Sequence, residues 1–157
     1  VTLPPLPGVL GIHHVAFAVA DLDAALALWT GTFDARLELR AVVADQGVEA
    51  ASLQWHGAAG GPAGLEHGTL LELVAPAQGA PGEGSGVARF LERRGEGMHH
   101  VAWAVTDVAE ALDALARAGA RLIDTHPRIG LHGTPVAFVH PSSTGGVLVE
   151  LVQVSAP

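Results

Sequence analysis

Residues 11–22 read GIHHVAFAVADL and residues 97–108 read GMHHVAWAVTDV, identical at eight of twelve positions. Each copy runs on into a helical pattern, DLDAALALW in the first and DVAEALDALARAGA in the second. Each closes on a matching apolar segment with one glutamate, TLLELV at Thr69–Val74 and VLVELV at Val147–Val152. Two matches in the same order mark a duplicated unit, and each unit can bury its apolar face only against a neighbour. The fold must therefore place two like modules together. A Gly/Pro-rich stretch, Ala75 to Gly86, and a short helix, Val87 to Arg94, form the boundary between them. The expected division is a first module at 10–76, a linker at 77–95 and a second module at 96–154, within one domain over 1–157. A looser segment, His56 to Gly68, reads as a hairpin loop in the first copy.

Alternation sets the local structure. In HHVAFAV the large residues Val15, Phe17 and Val19 share one face of a strand, and His14, Ala16 and Ala18 the other. The second copy sets Val101, Trp103 and Val105 against His100, Ala102 and Ala104. The large face needs a helix. Leu22, Ala25, Leu26 and Trp29 provide one at helical spacing, as do Val108, Leu112 and Leu115. Asp21 and Asp107 are expected N-caps and Gly119 a C-terminal stop. The other face carries only alanine beside its histidine, as the floor of a cleft would. In the closing strands Leu70, Glu72 and Val74 share a face, as do Leu148, Glu150 and Val152. A buried carboxylate without a partner is costly. A metal ion would satisfy both glutamates and the two histidines together.

The predicted ligands are accordingly His14, Glu72, His100 and Glu150. Two imidazoles and two carboxylates suit cobalt, manganese, nickel, iron or zinc, and leave two positions of an octahedron free. His13 and His99 repeat as well, but alternation places them on the large-residue face or at the strand edge, in a structural role or one supporting the ligands from behind. His56, His67, His126, His132 and His140 have no repeated counterpart and are expected in loops or at the surface.

Composition narrows the partners. The formal net charge is −8, all eight basic residues are arginine, and there is no basic stripe for a nucleic-acid backbone. Cysteine is absent, which removes disulfides and thiolate ligands. No apolar run reaches the roughly 20 residues of a membrane helix, and Val1 to Leu10 shows no signal-peptide pattern. A cytoplasmic, soluble protein with no membrane partner is expected.

Several segments resemble a known family. IHHVAFAVADLDAALALW, DQGV at Asp45–Val48, LLELVAP, GVARFLERRGEGMHHVAWAV, GARLIDTHPRIGLHGTPVAFVHP and TGGVLVELVQ together cover most of the chain. They are similar to the vicinal oxygen chelate superfamily, and within it to the methylmalonyl-CoA epimerases. RGEGMHH, the P-R-x-G-x-x-G loop and HPxSTGGVLVEL carry the narrower likeness. The resemblance implies an α+β fold: two tandem βαβββ modules forming a curved, cleft-lining mixed sheet with helices on the outside. It implies a homodimer, an acyl-CoA substrate and a divalent ion, cobalt first. The family's ligand positions fall on His14, Glu72, His100 and Glu150. Three features depart from the family pattern, one of them Ser142, where a lysine is common after HP. The strand position that holds a glutamate in some members is Ala50, with Glu49 one residue off on the opposite face. The usual glutamate before QGV is Asp45.

The implied reaction interconverts the C2 epimers of methylmalonyl-CoA by removing and returning the proton at C2. It needs charge stabilisation at the thioester oxygen and a base on each face of the enolate. The expected bases are Glu150, then Glu72 from the matching position of the other module, with Asp45 a third candidate. For the CoA end, Arg128 with the Gly130 and Gly133 loop is the candidate, and Arg93 with Arg94 a second. The rival expectations are a glyoxalase I-type lactoylglutathione lyase and a non-catalytic ligand-binding protein of the same fold. An extradiol dioxygenase fits less well, since Glu72 would fill one of its open positions.

Overall fold

The structure is a computed structural model that describes residues 3–55 and 69–155. Its first half runs β1 (Val9–Ala18), α1 (Leu22–Phe33), β2 (Arg36–Val43), β3 (Val48–Gln54) and β4 (Leu70–Pro76). After α2 (Gly86–Arg94), the second half runs β5 (Gly97–Val105), α3 (Val108–Arg117), β6 (Arg128–Ile129), β7 (Pro135–Val139) and β8 (Leu148–Gln153). The same order, βαβββ, therefore occurs twice. The segment read as a hairpin loop, 56–68, lies outside the described residues.

All eight strands join one curled mixed sheet in the order β2-β3-β4-β1-β5-β8-β7-β6. That order is a palindrome of the two modules: β4 pairs parallel with β1, β8 pairs parallel with β5, and β1 meets β5 antiparallel at the centre. Each histidine strand thus lies beside its own glutamate strand and beside the other module's histidine strand.

The helices form where their caps and apolar stripes place them. Asp21 accepts from the Ala24 N–H at 2.9 Å and Asp107 from the Glu110 N–H at 2.9 Å. Gly119, at φ 77°, ends α3, and the Ala120 N–H then returns to the Leu115 carbonyl. α1 packs Leu22, with Ala25, Leu26 and Trp29, onto Leu53, Leu71 and Leu73. α3 packs Val108, Ala111, Leu112 and Leu115 onto Val105, Ala137, Val139 and Leu151. These two cores cover Phe17 and Val19 in the first module and Val105 in the second, whereas Trp103, expected on the helix-covered face, is exposed. The linker helix α2 lies on the other face, with Val87, Phe90 and Leu91 against Ala18, Val48, Ala50 and Val74. It walls one end of the concave side. Among the described residues no helix is long and apolar enough to cross a membrane.

Candidate metal centre

The sheet register brings the repeated residues into two adjacent rows. One row reads Leu70, His14, Ala102, Glu150, Phe138 across five strands, and the next reads Ser52, Glu72, Ala16, His100, Leu148. Each row holds one histidine and one glutamate with an alanine between them. Ala16 and Ala102 are fully buried, and their small side chains leave the space above the sheet open to the four longer ones.

Those four side chains are buried and converge. His14 Nε2 and His100 Nε2 are 3.1 Å apart. Glu150 Oε2 lies 3.1 Å from His14 Nε2 and 3.3 Å from His100 Nε2, and Glu72 Oε2 lies 3.6 Å from His14 Nε2. Donor atoms bound about 2.0–2.2 Å from one ion stand about 3.0–3.6 Å apart over angles of roughly 90–110°. The observed spacings fall in that range. Glu150 Oε2 is also buried with no hydrogen-bond partner among the described residues, despite its two close imidazoles. Among the described residues, His14, Glu72 and His100 form a group whose ligand atoms all lie within 4.8 Å of one another, and Glu150 lies beside it, outside that group. The donor set fits a borderline divalent ion.

The electrostatics agree with that reading. Burial works to lower the His14 pKa, but the Glu72 charge and the adjacent Glu150 carboxylate outweigh it and raise it. Burial works to raise the Glu150 pKa, and the His100 and His14 imidazoles outweigh that, holding the carboxyl well below the usual range. The site thus draws positive charge toward its centre.

His13 and His99 do not sit where simple alternation places them. In the β1–β5 ladder Ile12 pairs with Trp103 and His14 with Ala102, leaving His13 as an extra residue. Ala16 pairs with His100 and Phe17 with Met98, leaving His99 extra on the other strand. A bulge of this kind interrupts the two-residue period. Both rings consequently reach the two central histidines: His13 Nδ1 is 2.8 Å from His14 Nδ1, and His99 Nδ1 is 2.9 Å from His100 Nδ1. Burial, followed by the neighbouring histidine, lowers both pKa values to about 4, so both rings are neutral near pH 7. A neutral Nδ1 can accept the ligand ring's Nδ1–H. That tautomer leaves each ligand Nε2 lone pair facing the centre.

The walls of the cleft differ. Val43, Val48 and Ala50 from β2 and β3, Val74 from β4 and Val87 from α2 make an apolar side, with Gln46 at its rim. Leu131, His132 and Thr134, from the turn between β6 and β7, also line the cleft, and Leu131 packs against that apolar cluster. Asp45 is exposed in a 3-10 turn over Ala44–Gln46 and is not among the cleft-lining residues; its neighbour Gln46 is. Glu49 faces away from the cleft and pairs with Arg40 at 2.7 Å, which also holds Asp23 at 2.5 Å. Arg128 lies 3.4 Å from Asp124 and over the Phe138 ring, while Gly130 and Gly133 shape the turn. The Gly133 N–H bonds the Gly130 carbonyl at φ 72°, and a Cβ on Gly130 would come 2.7 Å from Val136 Cγ1. The three residues expected at a CoA site therefore frame the turn, and of the side chains between them Leu131 and His132 reach the cleft while Ile129 is exposed. Arg93 and Arg94 are exposed at the end of α2. His132 lies in a turn, as expected of a loop residue, and in addition lines the cleft. His126 is exposed and His140 caps a 3-10 turn at Pro141–Ser143, whereas His56 and His67 lie outside the described residues.

The sequence profile of the Glyoxalase/Bleomycin resistance protein/Dioxygenase superfamily matches residues 13–138, which run from the first histidine pair to the strand opposite Glu150. The chain belongs to this superfamily. Within it, the chain is 39% identical over 145 residues to the ethylmalonyl-CoA/methylmalonyl-CoA epimerase of Cereibacter sphaeroides, covering 91% of this chain and 97% of that one. It superposes on the crystal structure of methylmalonyl-CoA epimerase from Mycobacterium tuberculosis with a TM-score of 0.82 at 32% identity, over 99% and 94% of the two chains. A methylmalonyl-CoA epimerase in complex with methylmalonyl-CoA and NH4+ matches with a TM-score of 0.82 at 31% identity, over 95% and 99%. These superfamily members share the curled eight-stranded sheet.

Proposed function

We propose that this protein is an isomerase that interconverts the C2 epimers of methylmalonyl-CoA. The observation that carries the reading is the convergence of two histidines and two glutamates from matching positions of two modules, in a chain similar over most of its length to epimerases of that substrate. His14, Glu72, His100 and Glu150 hold a divalent ion, cobalt before manganese, nickel, zinc or iron. When bound, such an ion supplies Lewis-acid polarisation of a carbonyl oxygen, here that of the thioester.

The chain's residues do the rest. Glu150 is held ionised among the imidazoles and serves as a base toward C2. Glu72 occupies the matching place in the other module and serves the opposite face. His13 and His99 fix the ligand rings. The apolar side, with Ala50 at its middle, excludes water from C2 and receives the alkyl substituent. The resemblance that implies this reaction also implies a homodimer.

The test is proton–deuterium exchange at C2 of methylmalonyl-CoA in heavy water, followed by NMR. It compares the metal-stripped protein with the same protein after cobalt is restored. Cobalt-dependent exchange with interconversion of the epimers is the expected result. Absence of exchange in protein shown to hold cobalt would remove the reading and favour a glutathione hemithioacetal as substrate.

A further inference from the structure

The turn between β6 and β7 carries two polar atoms that the centre does not use. His132 Nε2 and Thr134 Oγ1 are both buried, both belong to residues that line the cleft, and neither has a hydrogen-bond partner among the described residues. They sit two residues apart on a turn pinned by the Gly130 N–H to the Thr134 carbonyl and by the Gly133 N–H to the Gly130 carbonyl, each at 3.0 Å. The His132 ring is further held edge-on to His13, with centroids 5.7 Å apart. A buried donor left unpaired costs about 1–3 kcal/mol. Two of them on one rigid turn call for a partner that arrives with the cleft's occupant.

The apolar residues of the cleft, on which Leu131 packs, offer no such demand. Val43, Val48, Ala50, Val74 and Val87 present only methyl groups. The lining thus sorts the substituents of a branched substrate: carbon toward the valines and Ala50, oxygen toward His132 and Thr134. We infer that His132 and Thr134 are specificity-determining residues that bind the free carboxylate of a 2-alkylmalonyl thioester. The 2-alkyl group then lies against Val48 and Ala50. This inference rests on the epimerase reading and deepens it, because the carboxylate separates a malonyl thioester from an ordinary acyl-CoA. Holding both substituents fixes which face of C2 meets each glutamate.

The test measures binding, apart from turnover, on the cobalt-loaded protein. 2,2-Dimethylmalonyl-CoA carries the carboxylate but has no C2 proton to lose, and isobutyryl-CoA is the same thioester with hydrogen in place of the carboxylate. Calorimetric titration with each should show that the wild-type protein prefers the first. His132→Ala and Thr134→Val should each weaken 2,2-dimethylmalonyl-CoA by about tenfold or more, the size of one hydrogen bond to a charged group. Isobutyryl-CoA should bind them as it binds wild type, which also reports that the variants fold. His132→Gln, which keeps an N–H donor, should recover part of the loss. Variants that hold 2,2-dimethylmalonyl-CoA as tightly as wild type, or that lose both ligands equally, would overturn the inference while leaving the epimerase reading in place. Wild-type protein that binds neither thioester would overturn both.

Discussion

At the scale of single residues, Glu150 carries the heaviest demand. It is buried, its Oε2 has no hydrogen-bond partner among the described residues, and the two imidazoles beside it keep it ionised. Glu150→Gln preserves shape and removes the base. C2 exchange should fall by about 10²–10⁴-fold, the usual contribution of a positioned base, with the urea midpoint little changed; a rate near wild type would exclude Glu150 as the base. Glu72→Gln separates two roles, since the amide oxygen can still ligate. Cobalt should stay bound and exchange from one epimer should continue, while interconversion slows because the other face has lost its base. The candidate ligands stand out in the sequence because each residue type appears twice in register. His132 does not, for a physical reason. Both modules put a turn at this place in the sheet, but one carries Gln46 and the other His132, so the repeat that exposed the ligands hides the residue that breaks the symmetry.

At the scale of elements, the alanines and the bulges decide what the central strands can hold. Ala102 lies between His14 and Glu150 in its row and is fully buried. Ala102→Leu would put four heavy atoms in place of one methyl where the ligand side chains converge. Cobalt binding, read by its visible absorption, should be lost while far-ultraviolet dichroism stays the same. Alternation along HHVAFAV predicted the helix-facing and cleft-facing sides correctly from His14 onward, yet it misplaced His13 and His99. A period of two has no means of registering an inserted residue; the bulge shows only when the partner strand is paired against it. Burial of these rings has a consequence for stability. The His13 pKa is lowered from 6.5 to about 4, so between those values the unfolded chain binds more protons than the folded one. The His13 contribution is thus complete above pH 6.5 and is lost as the pH falls toward 4. In metal-stripped protein, His13→Asn should flatten the fall in stability between about pH 7 and about pH 5. Urea titrations at the two pH values measure this, and an unchanged slope would mean His13 titrates alike in both states.

At the scale of the whole molecule, the centre joins the modules across the β1–β5 pair. His14 and Glu72 come from the first half and His100 and Glu150 from the second, so an ion held by all four binds only when both halves are folded and paired. Binding to the folded state alone stabilises it by about 2.7 kcal/mol at a free metal concentration of about one hundred times Kd. For a chain of this size that corresponds to a rise in melting temperature of roughly 5–10 °C. A chelator should remove the rise. Because the ligands divide equally between the modules, His14→Ala and His100→Ala should each abolish the cobalt-dependent increment. Leu112→Ala serves as the control. It opens a cavity in the α3 core, remote from the ligands, and should cost about 2–5 kcal/mol with or without cobalt while leaving the increment intact. Calorimetry of the three variants with cobalt and with chelator distinguishes the cases. If one histidine variant keeps the increment, the ion is held by a single module, and the palindromic sheet serves to build a cleft without sharing a centre.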